Sequence, residues 1–120
     1  MAESHSLGKA GEMMARRLLE EKGYQIREEN WRAGKKEIDL IAENDRFIVF
    51  AEVKTRTSGF QVHPRDAVTV PKQRHLIFAA ESYVRKNNIN KEIRFDIITI
   101  VAEGRSFSAE HIEDAFYPTL

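Results

Sequence analysis

Cysteine is absent from the 120 residues. That excludes disulfide frameworks, thiolate zinc sites and cysteine nucleophiles together. A long hydrophobic run is missing too: nothing approaches the roughly 20 apolar residues of a spanning helix, and Met1–Ser6 is polar. Neither a membrane span nor a signal peptide is expected, so a reduced, cytoplasmic setting follows. An excess of one charge is also lacking, since 19 Lys and Arg balance 19 Asp and Glu. A generally basic nucleic-acid binder is thereby disfavoured, while local patches stay open. With 3 prolines and 6 glycines, no linker, repeat or low-complexity stretch interrupts the chain. The hydrophobic fraction of 42% is that of an ordinary folded protein, and residues 1–120 are expected to form a single domain.

The stretch from Glu37 to Lys54 organises the rest. Ile38, Leu40 and Ala42 alternate with Glu37, Asp39, Ile41 and Glu43, the period of a strand. Phe47–Val53 is an unbroken apolar run rich in β-branched and aromatic residues, as in a central strand covered on both faces. Asn44-Asp45 between them is a turn signal. A hairpin with Glu43 facing Arg46 sets Leu40 opposite Val49, Asp39 opposite Phe50 and Glu37 opposite Glu52. Asp39 then shares a face with Glu52 as its diagonal neighbour, roughly 7–8 Å away at the backbone. Lys54 projects from that face too, as do Ile48 and Phe50. Carboxylates at the end of a buried strand repel and are costly to desolvate. A divalent cation such as magnesium or manganese answers this, and so does an ion-pair network with Lys54 and nearby arginines.

Leu7–Lys22 has helical periodicity, with Leu7, Gly11, Met14 and Leu18 on one stripe widened by Ala10, Ala15 and Leu19, and Gly23 as its stop. Glu12 flanks that stripe, either aimed at the carboxylate pair or solvated beside Arg16. Gly8 and Gly11 suggest the close approach of another segment, although a frayed first turn would also tolerate them. Tyr24–Arg32 is expected as a first strand, with Ala33-Gly34-Lys35-Lys36 turning into the hairpin. Thr55–Val70 reads as a loop with one short helical turn. From Lys54 to His75 the chain carries Lys54, Arg56, Arg65, Lys72 and Arg74 against Asp66 alone. That basic excess is either a solvated face or a screen for phosphate. Pro71 marks a second helix, with Leu76, Ile77, Ala80, Tyr83 and Val84 buried and Asn87-Asn88 at its end. Lys72, Gln73 and His75 occupy its first turn or so. Ile93–Val101 is a strand with Arg94 and Asp96 paired on one face, and Phe107–Ile112 an edge strand after Glu103-Gly104. The sum is an α/β fold: a mixed sheet of about five strands flanked by helices, in the order α-β-β-β-α-β-β.

An acid on the first helix (Glu12), an Asp on one strand (Asp39) and Glu52-Val53-Lys54 on the next resemble the PD-(D/E)XK nuclease superfamily. More narrowly, the chain resembles the small YraN-like, UPF-type bacterial family, itself similar to archaeal Holliday-junction resolvases. Carrying this are Gly8-x-x-Gly11-Glu12, Asn30-x-Arg32, Glu37-Ile38-Asp39-Leu40-Ile41, Phe50-Ala51-Glu52-Val53-Lys54-x-Arg56, Ala67-Val68, Lys72, Arg94-Phe95-Asp96 and Ala115-Phe116. Lys36 departs from the glycine that often precedes Glu-Ile-Asp, which bears on how a substrate approaches and removes no ligand. Ile38 replaces the superfamily's nominal proline.

The resemblance implies a restriction-endonuclease-like core and a Mg2+- or Mn2+-dependent endonuclease acting on DNA, branched DNA included. It implies Asp39, Glu52 and the Val53 carbonyl as metal ligands, Glu12 supporting the metal through water, and Lys54 assisting the attacking water. Lys72 or Gln73 would position the phosphate, and Arg56, Arg65 and Arg74 would contribute to a nucleic-acid surface. A homodimer would suit a junction substrate. A non-catalytic nucleic-acid-binding module is the alternative, and a protein–protein adaptor using its last strand as an exposed edge is a further one.

Overall fold

The computed structural model describes residues 2–57 and 68–116, with side chains from residue 8 onward. The elements are α1 (Ala2–Glu21), β1 (Gln25–Ala33), β2 (Lys36–Glu43), β3 (Phe47–Thr57), α2 (Val70–Lys86), β4 (Glu92–Glu103) and β5 (Ser106–Phe116). This is the expected order. The strands lie as β1-β2-β3-β4-β5 in one sheet, with β3 and β4 parallel and the other neighbours antiparallel. The layout is that of the expected restriction-endonuclease-like core. Residues 58–67 lie outside the described residues, and with them the expectations for Gly59, His63, Pro64, Arg65 and Asp66.

Each face of the sheet carries its own apolar cluster, which is why β3 and β4 are apolar on both sides. On one face Ala15 and Leu19 of α1 pack with Leu40, Val49, Ala51, Ile98 and Ile100. On the other, Leu76, Ile77, Ala80 and Tyr83 of α2 pack with Ile41, Ile48, Phe50, Phe95 and Ile97. The α2 stripe is the expected one with Ala79 added and Val84 only half-buried. In α1 the buried line is Gly11, Ala15 and Leu19, while Met14 and Leu18 are only half-buried. The stripe is thus rotated toward the small residues, because a helix lying close to a sheet buries the residues that admit the closest contact. Gly11 confirms the expected close approach, since a Cβ there would overlap Thr55 of β3, whereas Gly8 has open space around it.

Helix ends follow local chemistry. Gly23 takes φ 95° and lets the Gly23 and Tyr24 amides close on the carbonyls of Glu20 and Leu19, the glycine-stopped helix end. Thr69 caps α2, its hydroxyl accepting from the Lys72 amide, with Pro71 in the first turn.

Apart from element ends, where α1 begins earlier than expected and β5 runs on to Phe116, two differences from expectation bear on the site. The β2–β3 register is Glu43↔Ile48, Ala42↔Val49, Ile41↔Phe50 and Leu40↔Ala51, two residues away from the expected one. Asn44 is the cause: its side-chain oxygen accepts from the amides of both Arg46 and Phe47, widening the turn beyond two residues. A shift of two keeps the paired residues Leu40–Glu43 on their expected faces, but Ile38, beyond the paired stretch, packs with the α2-side cluster and not with Leu40. The shift also leaves Asp39 just past the last pair, Leu40↔Ala51, where its carboxylate reaches the Val53 N–H next to Glu52. The second difference is that β3 runs on to Thr57, paired with β4 as far as Ala102, so Thr55–Thr57 is strand and not loop.

Candidate active site where the β2–β3 pairing stops

The β2–β3 pairing runs to Leu40↔Ala51. Beyond it the Val53 N–H is bound by a side chain, Asp39 Oδ2 at 2.8 Å. Glu52, on the α2 side of β3, is only 4% exposed. Its Oε1 lies 2.9 Å from Lys72 Nζ at the start of α2 and 3.5 Å from Lys54 Nζ on β3. Two strands and one helix thus bring Asp39, Glu52, Lys54 and Lys72 to one place.

The electrostatics are unbalanced. Burial, then the charge of Glu52, pushes the Asp39 carboxyl up to about 7, with Glu12 adding to the rise; the Val53 N–H and Lys72 act against it. Lys72 is held above its ordinary range, first by its bond to Glu52 and despite partial burial. Asp39 is therefore short of positive charge although two lysines stand beside its partner.

Glu12 is half-buried on α1 and lies 3.5 Å from the Asn30 amide, which sits at φ 51° on β1. Arg16, its expected partner, pairs instead with Glu20 and Glu29. Gln73 is turned to the backbone, donating to the Val68 carbonyl at 3.1 Å. Arg74 is exposed on α2 and Arg56 is half-buried on β3. Among the described residues, no group of three or more His, Cys, Asp or Glu stands together as a metal cage. The available oxygen donors are two carboxylates and the strand backbone. That set suits a small hard cation that keeps several waters and takes one or two carboxylates.

Beside the acids lies a cleft of about 280 Å³ lined by Lys35, Lys36, Glu37, Lys72, His75 and Leu76. The β1–β2 turn forms one wall and the first turns of α2 the other. Lys36 Nζ sits 4.1 Å from the ring centroid of Phe78, which is 62% exposed. Phe78 was missed as a functional candidate. Its signal is the run Leu76-Ile77-Phe78-Ala79-Ala80, five apolar residues that one helix face cannot bury together.

A second polar cluster lies on the α1 face. Asp96, fully buried, accepts from Arg94 Nε and Nη2 at 2.9 and 2.8 Å and from the Asp114 amide at 3.0 Å. His111 Nε2 stands 2.7 Å from it. Burial would raise the Asp96 carboxyl, but the bonds from His111, Arg94 and Asp114 outweigh it and hold the group below its ordinary range. Arg94 also reaches Tyr24 Oη at 2.6 Å. The expected Arg94–Asp96 pair is thus the core of a larger structural network.

The protein is a mixed α/β fold with an acid pair and two lysines where the pairing of β2 with β3 stops. The chain belongs to the uncharacterised protein family UPF0102, whose model it matches over residues 11–100. A UPF0102 protein of Phocaeicola vulgatus is 47% identical over 120 residues, covering 100% of this chain and 99% of that protein. One of Bacteroides thetaiotaomicron is 45% identical over the same span and coverage. A third, of Flavobacterium psychrophilum, is 46% identical over 117 residues, 98% of each chain. No helix among the described residues is long and apolar enough to cross a membrane.

Proposed function

We propose that the protein is a metal-dependent endonuclease of the PD-(D/E)XK kind, hydrolysing phosphodiester bonds in DNA, branched DNA among them. The observation that carries this reading is the half-buried Asp39 beside the buried Glu52, with Asp39 pushed up to about 7 while Lys54 and Lys72 already stand at Glu52. Asp39, Glu52 and the Val53 carbonyl would hold Mg2+ or Mn2+, and Glu12 would support the ion through water. Such an ion lowers the pKa of bound water and stabilises charge on a phosphate. Lys54, half-buried beside Glu52, would orient the attacking water and counter charge developing on the phosphoryl oxygens. Lys72, at the mouth of the basic cleft, would position the phosphate, and Arg56 and Arg74 would add to the nucleic-acid surface. Opposed cuts across a branched substrate need two such sites, so a homodimer belongs to this reading.

One observation favours a second reading. Both lysines already satisfy Glu52, so the network is a workable ion-pair cluster without metal, as in a non-catalytic nucleic-acid-binding module. Incubation with labelled junction, flap, duplex and single-stranded DNA, with Mg2+ or Mn2+ and beside Glu52→Ala, separates the two. Metal-dependent cutting that Glu52→Ala abolishes is the expected outcome. Binding without cutting by the wild type would install the second reading.

A further inference from the structure

The basic cleft has features that the acid pair alone does not require. Lys35 and Lys36 come from the β1–β2 turn; Lys72 and His75 come from α2. Glu37, the acid among the residues that line the cleft, is engaged by Arg32 at 3.0 Å. On a chain of zero net charge this is a local concentration of positive charge. Lys72 lines the cleft and also holds Glu52, so the cleft opens onto the acid pair. At its far side stands Phe78, six residues along α2 from Lys72 and about 9 Å further up the helix axis. Phe78 is 62% exposed as a residue, with the Lys36 ammonium against its ring. Arg74, His75 and Phe78 fall on one helix face by their three- and four-residue spacing. Phosphate-binding cations beside an open aromatic ring form the surface that unpaired nucleic-acid strands use: cations track the backbone and a base stacks on the ring. A base inside a continuous duplex has its faces covered by its neighbours and cannot use such a ring.

We infer that this cleft is the path of the substrate strand next to the acid pair, with Lys35, Lys36, Lys72 and His75 carrying its phosphates and Phe78 stacking on an unpaired base. The substrate class is then nucleic acid with a single-stranded stretch beside the bond that is cut, an inference that rests on the nuclease reading above.

The test measures anisotropy of a labelled single strand and of a blunt duplex of the same sequence. Wild type, Phe78→Ala, Phe78→Trp and Lys36→Ala are compared at one fixed salt concentration with chelator present. Phe78 is exposed, so its replacement leaves the core intact. Phe78→Ala is expected to weaken single-strand binding about 5- to 100-fold, the range of one lost base stack, and duplex binding less than about two-fold. Phe78→Trp keeps the single-strand affinity, and Lys36→Ala weakens both forms. An unchanged single-strand affinity in Phe78→Ala, or an equal loss on both forms, overturns the inference. Metal-dependent cutting is followed in parallel. A wild type that cuts duplex as fast as single strand, and is matched by Phe78→Ala, leaves the nuclease reading standing and removes this one. Selective binding that depends on Phe78, with no cutting by the wild type, keeps the cleft's assignment as a single-strand site and removes the nuclease.

Discussion

Asp39 ionises near pH 4 in an unfolded chain and near 7 in the folded one, so between those values the folded state holds the extra proton. Stability of the metal-free protein therefore falls as pH rises from about 4 to about 7 and is flat above, as far as this group is concerned. Asp39→Asn removes that cost. It should raise the unfolding free energy by roughly 1–3 kcal/mol at about pH 8, and the gain should vanish toward pH 4. Urea unfolding at the two pH values checks it, and a variant less stable at the higher pH would show Asp39 to be a supporting member of the ion-pair cluster. Asp96 behaves oppositely. Its depressed carboxyl adds stability above the unfolded-state value, which is lost as pH falls through the folded one. Arg94→Met takes two hydrogen bonds and a neighbouring charge from a fully buried carboxylate and should cost roughly 3–5 kcal/mol, read in the same urea experiment. The sequence made Asp39, Glu52 and Lys54 legible because strand alternation puts them on one face. It made Arg94 and Asp96 legible for the same reason. Tyr24 and His111 were not, since they meet the network from 70 and 15 positions away and no local period connects them.

At the scale of elements, α1 meets β3 through Gly11 and Thr55. A methyl group at Gly11 would overlap Thr55 Oγ1 and stand 3.1 Å from its Cβ, and a β-branched side chain has few rotamers in which to yield. Gly11→Ala should destabilise by about 1–3 kcal/mol. Gly11→Ala with Thr55→Ala should regain most of that loss, because only the Cβ contact remains; thermal unfolding of the three variants decides it. Equal melting temperatures for Gly11→Ala and wild type would show that α1 can lift away without cost. Strand identity and facing were readable from apolar periodicity, but the register was not. A turn of two residues and one widened by Asn44 differ by two positions, and a period of two cannot tell them apart. The end of β3 was misread because Lys54-Thr55-Arg56-Thr57 lacks the apolar alternation of a strand. It is held instead by parallel pairing to β4, a long-range contact invisible in the local sequence.

For the whole molecule, a formal charge of zero conceals an uneven arrangement. Much of the acid is spent in surface and edge pairs such as Arg27–Glu43, Lys91–Glu43 and Arg32–Glu37, while Lys35, Lys36, Lys72 and His75 converge on one cleft beside the acid pair. The basic excess after β3 was countable in the sequence, but its joining with the β1–β2 turn required the fold. The central claim is that Asp39 and Glu52 form a divalent-cation site, and calorimetric titration of Mn2+ into the metal-free protein at about pH 8 tests it most directly. Saturable binding by the wild type, lost in both Asp39→Asn and Glu52→Gln while each variant stays folded, is the predicted result. Absence of binding by the wild type, or binding undiminished in both variants, would contradict it.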